Sequence, residues 1–414
     1  MTAPNPLCFH LSASSVAAFK ACPQRFRLAY REGLRVALDT ESQRVGTNWH
    51  SIHEVYQNAL IEHGHKLGVS STINEGIEAV ALQAVVDHLN ERYEKIPNGV
   101  TPQEWDLERQ ILLTSFVGYL WYYADDKIEY LQQEIPFSLP LHSPRTGLPL
   151  PETEVLRVGK IDHIIRWQGM VGVLERKSTT RSIEPDSDYW DKSKKDTQVS
   201  MYALAMRDLN TVIGLPHNIP FPGERYGNTL YDVWRRPLTK PKALTQKDTA
   251  AFMETGDYFG QKFHATARPA THPTDPSMVY AAVQVDAADA EVEGGKKSYA
   301  IRETAGMYAA RLLAEIQETP TKFFQRREIA RTDADLAKFR RELYNVYQAQ
   351  KTMDRTGGWF ENESQCRATF PCPFIPVCYG PGAEAVSDGQ TIPPGYKRIF
   401  VDLTKDGQPI GDPE

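Results

Sequence analysis

Apolar residues recur at helical spacing through the first third of the chain. Within 12–35, the positions of Val16, Phe19, Phe26 and Tyr30 predict one or two short helices, with serines before them as possible caps. Further helices are predicted at about 41–66, 75–95 and 104–133. The pattern therefore favours an all-helical N-terminal part.

The pattern changes near residue 134, where short runs rich in β-branched residues replace the helical spacing. Strands are predicted in IPFSLPL, EVLRVGKIDHIIRW and VGVLERKST, the last two separated by a tight turn at Gln168 and Gly169. A helix is expected in TQVSMYALAMRDL, and further strands in NTLYDVWRR and MVYAAVQV. These elements predict a sheet that forms the core of the protein.

The later part of the chain is less regular. Pro-rich and charged residues favour an insertion, and GGKKS at 294–298 is interpreted as a hairpin turn because it lacks the earlier glycine of a P-loop. A long helical stretch is predicted over 301–353. The expected regions are a helical part at 1–133, an α/β core at 134–210 and an insertion at 211–300. They are followed by helices with a cysteine cluster at 301–380 and a tail at 381–414.

Composition adds constraints on partners. With 414 residues, 41% hydrophobic and 24% charged, the chain has the profile of a folded globular protein. The net charge of −6 gives no overall attraction to nucleic acid, so phosphate binding needs local basic patches. Two such patches are Lys20, Arg25, Arg27, Arg31 and Arg35, and Arg326, Arg327, Arg331, Lys338, Arg340 and Arg341. Each is equally consistent with a solvated helix face.

The segment MTAPNPLCFHLSASS has no basic stretch followed by an apolar run, which is the pattern of a secretory signal. No later stretch offers the roughly 18 uncharged apolar residues that a membrane-spanning helix needs. We therefore expect a cytoplasmic protein without a membrane partner.

The sequence places two carboxylates and a lysine on neighbouring strands. Glu175 and Lys177 are two apart and point to the same face of their strand, and the turn brings Asp162 close to opposite Glu175. Two carboxylates in a partly buried site repel one another unless a cation lies between them. Oxygen ligands suit Mg²⁺ or Mn²⁺, which activates water for phosphodiester hydrolysis, while Lys177 orients that water or neutralises developing charge.

An acidic residue two positions before a lysine also occurs at Asp125 and Lys127, so this small motif is not specific by itself. The surrounding residues make it more specific. Gln198 and Tyr202 share one face of the following helix, and His50 lies in an early helix, four residues after a glycine. The ordered set of Gly-x-x-x-His, Gly-x-x-Asp, Glu-x-Lys and Gln-x-x-x-Tyr resembles the RecB-like branch of the PD-(D/E)xK nuclease superfamily.

That resemblance covers most of 12–206 and returns at 320–380. It implies a restriction-endonuclease-like α/β core, with a mixed sheet flanked by helices on both sides, and DNA as the substrate. It also implies a metal site of His50, Asp162 and Glu175, with the Arg176 carbonyl as a possible further ligand. The resemblance further implies that Lys177 is the catalytic lysine and that Gln198 and Tyr202 position the metal site or the DNA backbone. His53 is the alternative ligand if the helix register is shifted.

The cysteines suggest a second site. Cys366, Cys372 and Cys378 are six apart, and Cys22 lies in the N-terminal ACPQRF segment, which suits a four-thiolate site. Zinc sites usually pair cysteines about two to four positions apart, so an iron–sulfur cluster is favoured. The pattern resembles the [4Fe-4S] staple of AddB-type and CRISPR-adaptation nucleases, although the first gap of the last three is wider than usual. Cys8 is interpreted as an ordinary free thiol.

The resemblance implies an exonuclease that acts on DNA ends or single-stranded DNA in recombination, repair, phage DNA processing or CRISPR adaptation, with a protein partner possible. Expected phosphate contacts are Arg25, Arg326, Arg327, Arg340 and Arg341. The alternative is a non-catalytic, cluster-stabilised DNA-binding or scaffold subunit. A redox sensor is a third reading, for which the sequence offers less support.

Overall fold

The computed structural model describes most of the chain. The described residues are 8–37, 40–64, 75–211, 226–271, 279–295, 298–368, 370–380, 386, 391–399, 401–402 and 408–409.

The helices and strands alternate in a way typical of an α/β protein. The helices are α1 (Ala13–Ala21), α2 (Pro23–Phe26), α3 (Glu41–Glu62), α4 (Glu75–Arg92), α5 (Pro102–Tyr122), α6 (Tyr189–Ser193), α7 (Thr197–Thr211), α8 (Gln246–Thr255), α9 (Ala305–Glu318), α10 (Asp333–Thr356) and α11 (Ile375–Cys378). The strands of the central sheet are β1 (Phe9–Leu11), β3 (Glu129–Pro140), β4 (Val155–Trp167), β5 (Met170–Thr179), β6 (Tyr226–Arg235) and β14 (Phe324–Ile329). The other strands are β2 (Leu34–Val36), β7 (Asp257–Tyr258), β8 (Gln261–Lys262), β9 (Ala265–Thr271), β10 (Val279–Val285), β11 (Ala288–Ala290), β12 (Val292–Gly295), β13 (Ser298–Ile301), β15 (Tyr396–Arg398), β16 (Val401–Asp402) and β17 (Gln408–Pro409).

The core is a six-stranded mixed sheet. Strand β4 pairs antiparallel with β3 and β5 and parallel with β1, while β6 runs parallel to β5 and antiparallel to β14. The crossover from β5 to β6 contains α7, as a parallel pair requires. One hydrophobic cluster joins α1, α7 and α10 to Ile161 and Val173 of the sheet. Another joins α3, α4, α5 and α9 to Trp234 and Phe324, so helices flank the sheet as predicted.

The sequence predicts an all-helical N-terminal part, but the structure also has two short strands there. Strand β1 joins the central sheet beside β4, and β2 pairs with β15 near the C-terminus. Three-residue strands are too short to show a period of two in the sequence. The helix predicted at 104–133 ends at Tyr122, and β3 begins at Glu129, so the sheet core starts before residue 134.

The long helix predicted at 301–353 is also wrong. The structure has α9, then β14, then α10 in this region. Pro320 lies two residues after the end of α9, and proline cannot continue a helix without losing a hydrogen bond. The following FQRREI segment becomes a strand because β6 supplies a partner along its whole length. Tertiary pairing therefore overrides the helical composition of this segment.

The insertion is shorter than 211–300, because β6 lies within that range and belongs to the central sheet. Between β6 and α9, the described residues form a small β-rich unit around α8, with a core that includes Leu244, Phe252 and Val283. Strands β12 and β13 pair across the predicted GGKKS hairpin, whose Lys296 and Lys297 lie outside the described residues. So do residues 212–225 and most of the tail.

Among the described helices, none combines the length and apolar character that crossing a bilayer requires.

Candidate metal and cysteine sites

The β4–β5 hairpin brings two carboxylates together. Its turn residues, Gln168 and Gly169, both have positive φ (51° and 76°), the conformation of a two-residue hairpin turn that suits the strand twist. The resulting register pairs His163 with Leu174. One step further along both strands, Asp162 therefore faces Glu175, as the turn in the sequence predicts.

Helix α3 supplies the imidazole. His50 Nδ1 lies 3.3 Å from Asp162 Oδ2, and the His50 side chain is 40% exposed. Gly46 lies one turn earlier on the same face of α3, where an added Cβ would be 3.4 Å from Ser178 Oγ. An added Cβ would therefore make only an ordinary contact with Ser178 of β5, so the approach of α3 to β5 does not by itself require a glycine at this position.

Lys177 connects the strand to α7. Its Nζ donates to Glu175 Oε1 and to Gln198 Oε1, both at 2.6 Å. Gln198 Nε2 donates to the Tyr202 hydroxyl at 3.0 Å, and that hydroxyl donates to the Lys160 carbonyl of β4 at 2.5 Å. The chain of hydrogen bonds fixes the lysine beside Glu175 and ties α7 to the strand that carries Asp162.

The electrostatics of the two carboxyls differ. Glu175 is 1% exposed, and burial together with the charge of Asp162 raises its pKa. Burial also favours the neutral form of Asp162, but the hydrogen bond and charge of His50 outweigh it and lower the Asp162 pKa. Glu175 Oε2 is buried without a hydrogen-bond partner among the described atoms. A free buried carboxylate oxygen facing a second carboxylate is a site that a cation would stabilise.

The donor set fits a hard divalent cation. Two carboxylates and an imidazole are ligands that Mn²⁺ accepts, and carboxylates with water suit Mg²⁺. Within the described ranges, no three His, Cys, Asp or Glu side chains are close enough together to hold a metal ion. The structure therefore brings His50, Asp162 and Glu175 into one region without a complete set of ligands around a common point.

His53, the alternative ligand, lies elsewhere. Its side chain is 3% exposed and packs edge-on against Trp49, Phe116 and Tyr119 in the core. Burial and the nearby charge of Arg176 lower its pKa well below the usual range. His53 is therefore a neutral core residue, and the helix register favours His50 at the metal site.

Behind β5, a buried polar network supports the strand that carries Glu175. Arg176 is 2% exposed, donates to His163 and to the Tyr130 hydroxyl, and lies 3.9 Å from Asp232. Asp232 also accepts from the Tyr119 hydroxyl and is 3.3 Å from the Nε of Arg326. Asp232 thus compensates two buried guanidinium groups at once.

This network corrects the role expected for Arg326. Its side chain is 12% exposed and paired with Asp126 and Asp232, so its guanidinium is not available to a DNA phosphate. Arg327 stacks on Trp190, 4.6 Å from the ring centre, and donates to the Pro185 carbonyl. Both arginines lie on β14 rather than on a helix, and both fix neighbouring segments of the protein.

The remaining predicted phosphate contacts lie on the surface. Arg340 of α10 is 44% exposed and paired with Asp208, while Arg25 and Arg341 are exposed. Arg341 lines a shallow depression beside Phe19 and Lys338, in which α10 meets α1.

The four predicted cluster cysteines form no disulfide, and Cys22 lies close enough to Cys378 for its charge to act on that thiol. Burial raises the pKa of Cys378 to about 12, and Glu361, Cys372 and Cys22 add to the effect. The Cys372 amide donates to the Cys366 carbonyl at 2.8 Å, and the Asn362 amide donates to Cys22 Sγ at 3.4 Å. Among the described residues, no three of these thiols are close enough together to hold a metal ion, so the structure brings Cys22 near Cys378 without an assembled four-thiolate site.

Two residues near Lys177 were not recognised from the sequence. Asp196 precedes α7 and accepts the Gln198 amide hydrogen bond at 2.7 Å, and Tyr231 of β6 places its ring 5.9 Å from Lys177 Nζ. The only signal for Asp196 was its place two residues before Gln198. Nothing in the sequence pointed to Tyr231, which reaches the site through sheet pairing.

Comparison with known proteins agrees with this geometry. No curated protein matches the chain. A family model described as the PD-(D/E)XK nuclease superfamily matches residues 10–379, which is nearly the whole chain and includes every element of the central sheet except Phe9. The mixed sheet flanked by helices is the restriction-endonuclease-like fold of that superfamily, and the protein belongs to the PD-(D/E)XK nuclease superfamily, whose members are metal-dependent phosphodiester hydrolases.

Proposed function

We propose that this protein is a Mg²⁺- or Mn²⁺-dependent DNA exonuclease of the RecB-like branch, stabilised by a [4Fe-4S] cluster. The observation that supports catalysis most strongly is the convergence of His50, Asp162, Glu175 and Lys177 from α3, β4 and β5. DNA end processing of this kind serves recombination, repair, phage DNA processing and CRISPR adaptation.

The chemistry follows from the donors. A divalent ion held by His50, Asp162 and Glu175, with the Arg176 carbonyl as a further possible ligand, would polarise the phosphodiester and lower the pKa of a bound water. Lys177 holds its ammonium group between Glu175 and Gln198, where it orients the attacking water or offsets charge on the phosphorane oxygens. Gln198 and Tyr202 keep Lys177 and β4 in register.

A cleft of about 480 Å³ is lined by Gln198 and Tyr202 next to this centre, and we propose that it takes a single DNA strand. Its walls come from the start of α1, the start of α7 and Lys160 of β4. The lining includes Ala13, Ala17 and Gly159, whose side chains are small or absent and leave space in the cleft. A strand threaded through the cleft would pass Gln198 and Tyr202 on its way to the carboxylates. We propose Arg25, Arg340 and Arg341 as phosphate contacts outside this cleft.

The exonuclease proposal is tested with matched linear and circular single-stranded DNA of the same sequence. We expect Mg²⁺- or Mn²⁺-dependent loss of the linear molecule, with the circle stable over the same time. Cutting of the circle at a similar rate would contradict the exonuclease reading and leave the superfamily's hydrolase chemistry in place. The linear substrate, labelled at either end, also gives the polarity.

The cluster proposal predicts a coloured protein. After anaerobic purification we expect a brown absorption band and about four irons per chain. Cys372→Ser removes one thiolate and should abolish the band, while Cys8→Ser, which changes a thiol bonded to the Glu152 carbonyl, should leave it intact. Loss of the cluster should lower the melting temperature, because the staple joins Cys22 to residues more than three hundred positions away. Zinc bound in place of iron would contradict the proposal.

A further inference from the structure

The surroundings of Lys177 contain an acidic residue that the proposed mechanism does not use. Asp196 ends the segment between β5 and α7 and lines the cleft beside Gln198 and Tyr202. Its Oδ1 accepts the Gln198 amide hydrogen bond at 2.7 Å. The same Gln198 accepts from Lys177 Nζ through its side chain. Gln198 therefore links the carboxylate of Asp196 to the ammonium group of Lys177.

Sheet pairing places the aromatic ring of Tyr231 beside Lys177. In the parallel β5–β6 ladder Tyr231 is the partner of Glu175, so the two side chains share one face of the sheet. The Tyr231 side chain is 2% exposed, and its ring lies 5.9 Å from Lys177 Nζ. Burial and the charge of Asp196 raise the pKa of Tyr231, so its hydroxyl stays neutral.

The segment that carries Asp196 is itself fixed. Arg331, just after β14, donates from Nη2 to the Asp196 carbonyl at 3.1 Å and to the Ser193 carbonyl at 3.2 Å. Its Nε donates to Ser200 Oγ in the first turn of α7 at 2.8 Å. A guanidinium with several backbone partners holds the turn, so Asp196 is presented to the cleft in one orientation.

Resting on the proposed nuclease function, we infer that Asp196 is a positioning residue for Lys177: its carboxylate fixes Gln198, which holds the lysine ammonium, and its negative charge stabilises that ammonium for the hydrolytic step. The ammonium donates to Glu175 Oε1 at 2.6 Å and lies 5.9 Å from the centre of the Tyr231 ring. Burial lowers the pKa of Lys177, but the charges of Glu175 and Asp196 outweigh this effect and raise it. Asp196 acts through Lys177 and Gln198 and does not ligate the metal.

The test separates the charge of Asp196 from its capping role. Asn caps a helix about as well as Asp, so Asp196→Asn keeps an acceptor for the Gln198 amide and removes only the charge. We expect kcat on single-stranded DNA to fall about tenfold, the lower end of the loss caused by removing a hydrogen-bonded partner that orients a metal-ligating side chain. KM and the metal concentration for half-maximal rate should stay within about twofold of the wild type. Asp196→Glu should recover part of the rate.

The matched control is Asp191→Asn, five residues earlier, where the side chain is 74% exposed and pairs only with Lys194 among the described residues. It should behave as the wild type. An Asp196→Asn enzyme with unchanged kcat would overturn the inference and assign Asp196 a capping role alone. A variant whose rate is restored by more metal would overturn it in favour of a metal ligand. If the wild type cuts no DNA, the proposed function has failed, and this outcome is distinct from both.

Discussion

Glu175→Gln is expected to reduce metal-dependent DNA hydrolysis by about 10³-fold or more. The substitution keeps the size of the side chain and an acceptor for Lys177, but it removes one of the two carboxylates that face each other across β4 and β5. A Lewis-acid metal lowers the activation barrier by several kcal/mol, and each tenfold change in rate corresponds to about 1.4 kcal/mol. The measurement is the initial rate of release of labelled nucleotide.

The control for this variant is Glu254→Gln, an exposed carboxylate of α8 in the β-rich insertion. It should cut at the wild-type rate. Binding of Mn²⁺, followed by its paramagnetic signal, should weaken in Glu175→Gln and stay intact in Glu254→Gln. A Glu175→Gln enzyme that cuts within about threefold of wild type would remove Glu175 from the metal site.

Asp232→Ala is expected to destabilise the protein by about 3–5 kcal/mol. Asp232 is 3% exposed and is the shared partner of Arg176, which is buried, and of Arg326, whose side chain is 12% exposed. Removing one partner of a buried ion pair leaves an uncompensated charge, and here it leaves two guanidinium groups with fewer acceptors. The measurement is the free energy of unfolding in urea.

A matched comparison is Asp191→Ala, an exposed residue whose loss should change the unfolding free energy by less than about 0.5 kcal/mol. The Asp232 variant should also lose activity, because Arg176 follows Glu175 directly on β5. An unfolding free energy equal to that of the wild type would show that the network behind β5 contributes nothing to stability.

The part of the site predicted from the sequence depends on short-range structure. Glu175 and Lys177 share a face because strands have a period of two, and the Gln168–Gly169 turn sets the register that places Asp162 opposite Glu175. Gln198 and Tyr202 share a face because a helix brings residues four apart together. In each case the spacing within one or two elements determines the geometry.

What the sequence could not predict depends on contacts between distant segments. The basic FQRREI segment resembles the helices around it, and only its pairing with β6 makes it a strand and places Arg326 beside Asp232. His50 and His53 lie about one turn apart on α3, and only the packing of Trp49, Phe116 and Tyr119 around His53 places that residue in the core, while His50 stays 40% exposed. Tyr231 reaches Lys177 for the same reason, through a neighbouring strand.

The nuclease assignment is tested most directly by the rate of single-stranded DNA hydrolysis. This rate is measured with the anaerobically purified wild-type protein across a titration of Mg²⁺ or Mn²⁺, with Lys177→Ala in parallel. We predict no cutting in chelator, a saturable rise in rate with added metal, and loss of that rise in Lys177→Ala despite retained DNA binding. DNA binding without cutting by the wild type at any metal concentration would contradict the nuclease assignment and would indicate a scaffold subunit instead.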